Sequence, residues 1–444
     1  MQHITIKHNG PVEDFEMDVN KYNVLIGEQA TGKSTIAKSI YFSRYVKTLI
    51  SNFLIQTMES GTYYGEEVTS KTPFFRYVSH NLKDTFIQLF GYSWNLDSDF
   101  KIHYSFANDI WFESKLADRE SGKKYIAEAY SPKLSQGIND LKSEALGLFE
   151  ESNRVHLSLE LDRETKSRNR EYILHKVNEI FEDDLTTYYV PAGRSMLTLL
   201  SASRATMNSL QNLDFVMNRF LELIDGVRNI YQDGVDNAFK YFPKGDRTFD
   251  VHDISSQIIE MQKGEYRNDR IGEILRVRNG EGKYEDIKIN FASSGQQEIM
   301  WLLNFLYVLM LRNEKAFVII EEPEAHIYPS LQKDIVDFII QFAGICNGKI
   351  FVTTHSPYVL MTMNNAYYAG CAAQKYRSEV SKVIKSAYRI EKGRLTALKL
   401  QNAEKKLINL LDENDEISSY MIDEISNKIN EVYTSLYMIN NKES

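Results

Sequence analysis

The sequence predicts an α/β fold organised on a parallel sheet, and three observations carry that expectation. An apolar strand at Asn23–Ile26 runs into a glycine-bounded loop, and a helix follows from about Lys33 to Ile50. A second apolar strand, Phe317–Ile320, leads to a helix opened by Pro329, with Leu331, Ile335, Phe338, Ile339 and Phe342 on one face. A third strand, Lys349–Thr353, comes next. Strand–helix–strand order of this kind requires a crossover, because parallel neighbours cannot be joined by a tight turn.

The remaining elements follow from local pattern. Ile4–Lys7 and Val12–Val19 read as strands turned at Asn9-Gly10-Pro11, and Phe100–Phe112 partly alternates as strands do. Residues 135–180 and 195–241 have helical spacing, and Tyr188–Val190 is a short strand stopped by Pro191. Gly272–Phe291 reads as a hairpin turning at Asn279-Gly280, followed by a helix from about Gly295 to Leu311. A further hairpin is expected over Val383–Leu400, turning near Lys392-Gly393, and then an amphipathic helix over about 416–438.

Composition narrows the function. The chain has 444 residues, 43% of them hydrophobic, which suits a packed protein of roughly three domain-sized units. Its 52 Lys+Arg against 61 Asp+Glu give a formal charge of −9, which argues against a basic coat but leaves a local basic groove open. The two cysteines, Cys346 and Cys371, exclude a disulfide framework or a four-thiolate zinc site and suit a reducing cytoplasm. The longest nearly apolar run, Trp301–Leu311, is too short to span a bilayer, and the first residues lack an apolar signal core. A soluble cytoplasmic protein without membrane contact is expected.

Four motifs carry chemistry. Gly27-Glu28-Gln29-Ala30-Thr31-Gly32-Lys33-Ser34, with Thr35 after it, fits G-x-x-x-x-G-K-[ST] between a strand and a helix. Its glycines let backbone wrap phosphates, Lys33 would reach the β- and γ-phosphates, and Ser34 would ligate Mg²⁺. Glu321 and Glu322 end an apolar strand, where open α/β sheets bind ligands. There Glu321 would hold Mg²⁺, directly or through water, and Glu322 would deprotonate an attacking water. Ser293-Ser294-Gly295-Gln296-Gln297 precedes a helix and offers a second phosphate-binding surface, or simply a helix cap. His355 follows the next strand and reads as a γ-phosphate sensor. ATP and Mg²⁺ are the expected ligands of an ATPase.

Taken together, IGEQATGKST (26–35), FASSGQQE (291–298), VIIEEPEAHIYP (318–329) and FVTTHSPYVL (351–360) resemble the ABC-type ATPases of the overcoming-lysogenization-defect (OLD) and RecF-like group. TYYVPAGRS (187–195) looks like a family strand and turn. The resemblance implies a P-loop NTPase of ABC-ATPase head type with an inserted, mainly helical lobe. It divides the chain into residues 1–50 and 271–380 as the two halves of the head, 51–270 as the lobe, and 381–444 as a possible docking element. It also implies a homodimer or higher homo-oligomer formed through the heads, in which Ser293 and Gly295 contact the γ-phosphate of the facing copy. Glu324, Ala325 and His326 would fall on a loop crossing that interface.

The tail holds no metal-binding Glu and Asp-x-Asp of the nuclease that full-length OLD enzymes carry, and no His follows His355. The chain therefore resembles the stand-alone ATPase subunits of Septu- and PARIS-type antiphage systems, which implies a separate effector, a nuclease. The alternatives are a RecF-like repair or chromosome-maintenance ATPase and an ATP-occupied scaffold with little turnover. DNA contact could come from Arg163, Lys166, Arg168, Arg170 and Lys176, although Glu164 and Glu171 interleave them as on a solvated face. Phe74, Phe75 and Tyr77 read as core rather than base-stacking residues. Arg194 is poised between an approach to the nucleotide or the interface and a structural role.

Overall fold

The structure, a computed structural model, describes residues 1–91, 99–118, 124–154, 159–202, 213–243, 247–270, 272–372, 374–401, 406–411, 417 and 430–435. The chain opens with a hairpin, β1 (Gln2–Asn9) and β2 (Val12–Val19), in which Asn9 lies opposite Val12. β3 (Tyr22–Gly27) runs into α1 (Lys33–Ser60). A short pair, β4 (Thr62–Tyr63) and β5 (Glu66–Glu67), and α2 (Phe75–Phe90) precede the meander β6 (Lys101–Ala107), β7 (Ile110–Asp118) and β8 (Lys124–Tyr130). Two long helices, α3 (Pro132–Arg154) and α4 (Leu159–Phe181), return the chain to β9 (Thr186–Val190). Helices α5 (Ser195–Ala202), α6 (Phe215–Val227) and α7 (Val251–Gln262) lead to a three-stranded antiparallel sheet of β10 (Glu265–Asp269), β11 (Gly272–Arg278) and β12 (Tyr284–Lys288). The last third alternates α8 (Ser294–Leu311), β13 (Ala316–Glu321), α9 (Pro329–Ile345), β14 (Lys349–Thr354) and α10 (Pro357–Cys371). It continues through α11 (Arg377–Val383), β15 (Leu395–Gln401) and β16 (Lys406–Asn409).

The central sheet has the order β16-β15-β3-β14-β13-β9, parallel throughout except at the β16 edge. Side chains alternate across it. Leu25, Phe317, Ile319 and Phe351 share one core with Ile36 and Ile40 of α1, while Val24, Val318, Ile320, Ile350 and Val352 share another with α8 and α9. Coverage on both faces explains why β13 is an unbroken apolar run rather than an alternating one. A second, antiparallel sheet, β2-β1-β6-β7-β8, covers the far side of α1, with Ile4, Ile6, Phe15, Ile102 and Tyr104 in the same core. α1 is thus buried between two sheets with the glycine loop at its N-terminus. This is the α/β P-loop NTPase architecture that the sequence predicts, with the glycine loop between a central parallel strand and its helix.

A buried ion cluster anchors α1 between those sheets. Arg44 pairs with Asp183 at 2.8 Å, Lys47 lies 3.3 Å from the same carboxylate, and Gln2 donates to it at 3.0 Å. Arg44 also donates to Thr187 Oγ1 at 2.9 Å and Tyr104 Oη at 3.1 Å, with its guanidinium 4.6 Å from the Phe317 ring centre. Burial alone pushes the Asp183 carboxyl up, but Arg44 and Lys47 hold it below its ordinary value.

Three local readings are corrected or placed. The first helix does not end at Ile50. Nothing breaks it until Gly61, which takes φ 67° as a left-handed C-cap and donates to Thr57 O at 2.8 Å. The expected hairpin over 383–400 has its turn but only one strand, because β15 pairs with the open edge of β3 instead. Ile390 there donates to Ala366 O on α10 at 3.0 Å. The tail helix at 416–438 lies outside the described residues except for Ile417 and the helical stretch 430–435.

Phe74 is buried against Tyr130 and Tyr77 stacks on Phe53, whereas Phe75 is 43% exposed. Arg163, Lys166, Arg168 and Arg170 are exposed on α4, and Lys176 donates to Glu179 at 2.8 Å. Among the described residues no helix is long and apolar enough to cross a membrane.

Asp183→Ala leaves Arg44 and Lys47 buried without their carboxylate, and is expected to lower unfolding free energy by about 3–5 kcal/mol in urea melts. Lys133→Ala, which removes the exposed Lys133–Glu182 pair, is expected to leave the urea midpoint nearly unchanged, because solvent screens both charges.

Candidate functional site

Gly27 ends β3 and the loop bends back over the start of α1. Gly32 has φ 97°, and a Cβ there would come within 2.8 Å of Val12, so hairpin and loop meet only because that residue is glycine. Gly32 also offers no capping side chain, which leaves the first-turn amides of α1 for a ligand. Lys33 Nζ is enclosed by this bend. It donates to Gly27 O at 2.7 Å and Glu28 O at 2.6 Å and lies 3.3 Å from His355 Nδ1.

The acidic strand end arrives from the neighbouring elements. Glu322 sits at φ 42° just beyond β13, its N–H bonded to Thr353 O at 2.9 Å, and its Oε1 lies 2.9 Å from His355 Nε2. Since Nδ1 faces the lysine ammonium, it accepts, and Nε2–H donates to the carboxylate. A cleft of about 610 Å³ is lined by Gln29, Ala30, Thr31, Gly32, Lys33, Ser34 and Thr35, and by Pro11, Glu322 and His355. Stretches more than 280 residues apart in sequence therefore converge on one opening.

Glu321 stands behind this cleft, 6% exposed, with Oε2 3.5 Å from Ala192 N and Oε1 without a partner. The buried Tyr189 hydroxyl acts on this carboxylate, but no cationic side chain hydrogen-bonds it, which leaves a buried charge suited to a cation. Ser34 lies on the cleft wall, and among the described residues no three His, Cys, Asp or Glu side chains group to hold a metal by themselves. One hydroxyl and one carboxylate beside a phosphate cradle match Mg²⁺, which keeps waters and takes phosphate oxygens rather than an all-protein cage. Glu28, Glu321, Glu322 and Glu324 all act on Lys33 electrostatically, so a polyphosphate entering this acidic surround needs a counter-cation.

Ser293 and Gly295 are not brought to this cleft. They open α8, where Ser293 accepts from Gln296 N at 3.3 Å and the Gln296 side chain accepts from Ser293 N at 3.0 Å, a complete capping box. Gly295 faces the loop after β13, and a Cβ there would be 3.0 Å from His326 O.

Three further residues organise the site. Arg194 is fully buried and donates to Glu321 O at 2.8 Å, Glu322 O at 3.1 Å, Pro191 O at 2.8 Å and Glu298 O at 2.9 Å. Glu298, also fully buried, accepts from Arg194 N at 3.0 Å and from Ser195 Oγ at 2.8 Å. This pair joins the start of α8 to the carbonyls that present Glu321 and Glu322. Glu324, expected on an intersubunit loop, turns inward. Its Oε1 accepts from Thr354 Oγ1 at 2.6 Å, His355 N at 2.8 Å and Ser356 N at 3.2 Å, fixing the turn that carries His355. Glu298 had a sequence signal: it is the one carboxylate in α8, at the margin of a long apolar run, where a charge is buried only if paired.

Burial lowers the Lys33 pKa to about 8, against the upward pull of Glu322, Glu324, Glu28 and Glu321. The ammonium is thus present at pH 7 and lost as pH rises through about 8. ATP affinity measured by calorimetry is expected to fall about tenfold between pH 7 and pH 9, as Lys33 loses its charge. An unchanged affinity would remove Lys33 as the phosphate contact.

Solved structures similar in outline include an SMC head bound to the C-winged helix domain of ScpA, at 12% identity and TM-score 0.38, covering 81% of this chain and 90% of that one. The SMC head domain from Thermotoga maritima has 8% identity and TM-score 0.37, covering 92% and 97%. The Pyrococcus furiosus Smc head domain with an extended coiled coil, bound to the C-terminal domain of ScpA, has 11% identity and TM-score 0.37, covering 97% and 100%. No curated protein matches the chain. The AAA ATPase domain family matches residues 93–360, more than half of the chain. That stretch takes in Arg194, Glu298, Glu321, Glu322 and His355, while the glycine loop that faces them precedes it. The carboxylate end of the cleft and its buried supports thus fall within one family's pattern, and the chain belongs to the AAA ATPase domain family.

Proposed function

We propose that this chain hydrolyses ATP to ADP and phosphate in the cleft between the glycine loop and Glu322. The observation that carries the reading is the run of contacts from Lys33 through His355 to Glu322 across a phosphate-sized opening. Lys33 exchanges the Gly27 and Glu28 carbonyls for β- and γ-phosphate oxygens. Ser34 and Glu321 would hold Mg²⁺, which would supply positive charge against that developing in the transition state. Glu322 takes a proton from the attacking water as the new O–P bond forms and the bond to the bridging oxygen breaks. His355 Nε2–H keeps the Glu322 carboxylate oriented and places Nδ1 beside the γ-phosphate end of Lys33.

Ser293 and Gly295 serve a facing copy in this account. Their support is negative within one chain and positive on its surface: the start of α8 stands off its own cleft, flanked by Phe291 at 76% and Tyr328 at 78% exposure. Resemblance to stand-alone OLD-like subunits extends the proposal to a regulator or scaffold of a separate nuclease effector in bacterial antiphage defence. An adjacent nuclease gene whose product co-purifies with this chain is the expected finding, whereas neighbouring replication or repair genes would favour a RecF-like DNA clamp.

Glu322→Gln is expected to bind ATP with unchanged affinity and to lose about 10²–10⁴-fold in turnover. Normal turnover would remove Glu322 as the base. Lys33→Ala and Ser293→Arg chains are each expected to be inactive, and mixing them is expected to restore activity through one intact composite site. A mixture that stays inactive would contradict the facing-copy arrangement.

A further inference from the structure

Glu322 is aimed by a backbone conformation that its own chemistry does not favour. It takes φ 42° one residue beyond β13, in the left-handed region that residues with a side chain rarely enter. Such a conformation persists where the surroundings fix it. The peptide plane before its Cα is fixed by two groups: Glu322 N–H donates to Thr353 O at 2.9 Å, and Arg194 Nη1 donates to Glu321 O at 2.8 Å. The plane after it offers a carbonyl alone, because Pro323 has no N–H. That carbonyl accepts from Ala325 N–H at 3.0 Å, within the turn, and from Arg194 Nη2 at 3.1 Å. One guanidinium thus grips both planes, and the two planes set where the Glu322 side chain points.

The grip is itself held. Arg194 is fully buried, with Nε donating to Glu298 O at 2.9 Å and Nη1 also donating to Pro191 O at 2.8 Å. The Glu298 carboxylate, 3.5 Å from Arg194 Nε, answers its charge and accepts from Arg194 N at 3.0 Å, Ser195 N at 3.1 Å and Ser195 Oγ at 2.8 Å. A planar fork with fixed N–H directions suits two successive carbonyls in a way that a single ammonium does not reproduce. The target of the carboxylate is fixed from another side: Glu324 accepts from His355 N at 2.8 Å, and His355 Nε2 lies 2.9 Å from Glu322 Oε1. Carboxylate and imidazole meet because both backbones are clamped by buried side chains.

We propose that Arg194 is a positioning residue for hydrolysis: its guanidinium sets both peptide planes around Glu322 and so aims the carboxylate, while staying sealed from the nucleotide. The inference rests on Glu322 as the base, and its effect belongs to turnover rather than to ATP binding.

The test follows the His355 ring directly. In the full chain labelled with ¹⁵N-histidine, the His355 Nε2 signal is identified by its loss in His355→Asn, and Glu322→Ala gives its position when the carboxylate contact is gone. Arg194→Lys keeps the charge that Glu298 answers but not the fork. It is expected to move the His355 signal to the Glu322→Ala position while leaving the signals of His80 and His175, on α2 and α4, in place. ATP affinity by calorimetry is expected to stay at the parent value and kcat to fall about 10²-fold. In the Glu322→Gln background the same substitution is expected to change kcat by no more than about twofold, because it acts through that carboxylate. An unmoved His355 signal overturns the proposal, and so does a loss of kcat that adds in full to that of Glu322→Gln. If the lysine chain does not fold, Arg194→Met combined with Glu298→Gln, which leaves no unpaired charge in the interior, is read the same way. If neither folds, the guanidinium is a general structural contact and the proposal fails. A parent chain that binds ATP without turnover refutes the hydrolysis reading instead, and the His355 signal then still decides whether Arg194 aims Glu322.

Discussion

A single ammonium group orders the candidate site. Lys33 Nζ sits where the loop carbonyls of Gly27 and Glu28 and the imidazole of His355 meet. Each partner comes from an element whose position is fixed elsewhere: the loop by β3 and α1, the imidazole by the turn after β14. Because burial weakens this cation and four surrounding carboxylates strengthen it, its charge responds to what occupies the cleft. An anion arriving at the helix start meets a lysine that gains from being charged.

The carboxylate side of the cleft is held by buried polar contacts rather than by the sheet alone. Arg194 takes the carbonyls of Glu321 and Glu322, and its charge is answered by Glu298 at the start of α8. Glu324 takes the backbone of His355. Any displacement of α8 therefore reaches the residues proposed for metal binding and water activation through two buried side chains. Midway along α1 the Arg44–Asp183 cluster performs the matching task, fixing the helix against both sheets.

Much of this was legible in the sequence, for identifiable reasons. The glycine loop, β13 and β14 are local patterns: glycines at fixed spacing, then runs buried on both faces and therefore wholly apolar. Long-range pairing was not legible. β15 has no sequence feature that sends it to β3 rather than to a hairpin with its own upstream residues. The continuation of α1 past Ile50 hid in the absence of any breaker before Gly61. Glu324 reads as part of an interface-crossing loop because its donors, the Thr354 hydroxyl and the His355 and Ser356 amides, lie 30 or more positions away, and Arg194 is ambiguous because a buried arginine is defined by carbonyls that sequence does not mark.

The central claim is that the loop at 27–35 and the Glu322–His355 pair clasp one triphosphate. A crystal structure of the chain with Mg²⁺ and a non-hydrolysable ATP analogue tests it most directly. The expected structure has the β- and γ-phosphates within hydrogen-bond distance of Lys33 Nζ, which has left the Gly27 and Glu28 carbonyls, with a cation between Ser34 and Glu321. An analogue bound elsewhere, or Lys33 still held by those carbonyls beside a bound triphosphate, would contradict it.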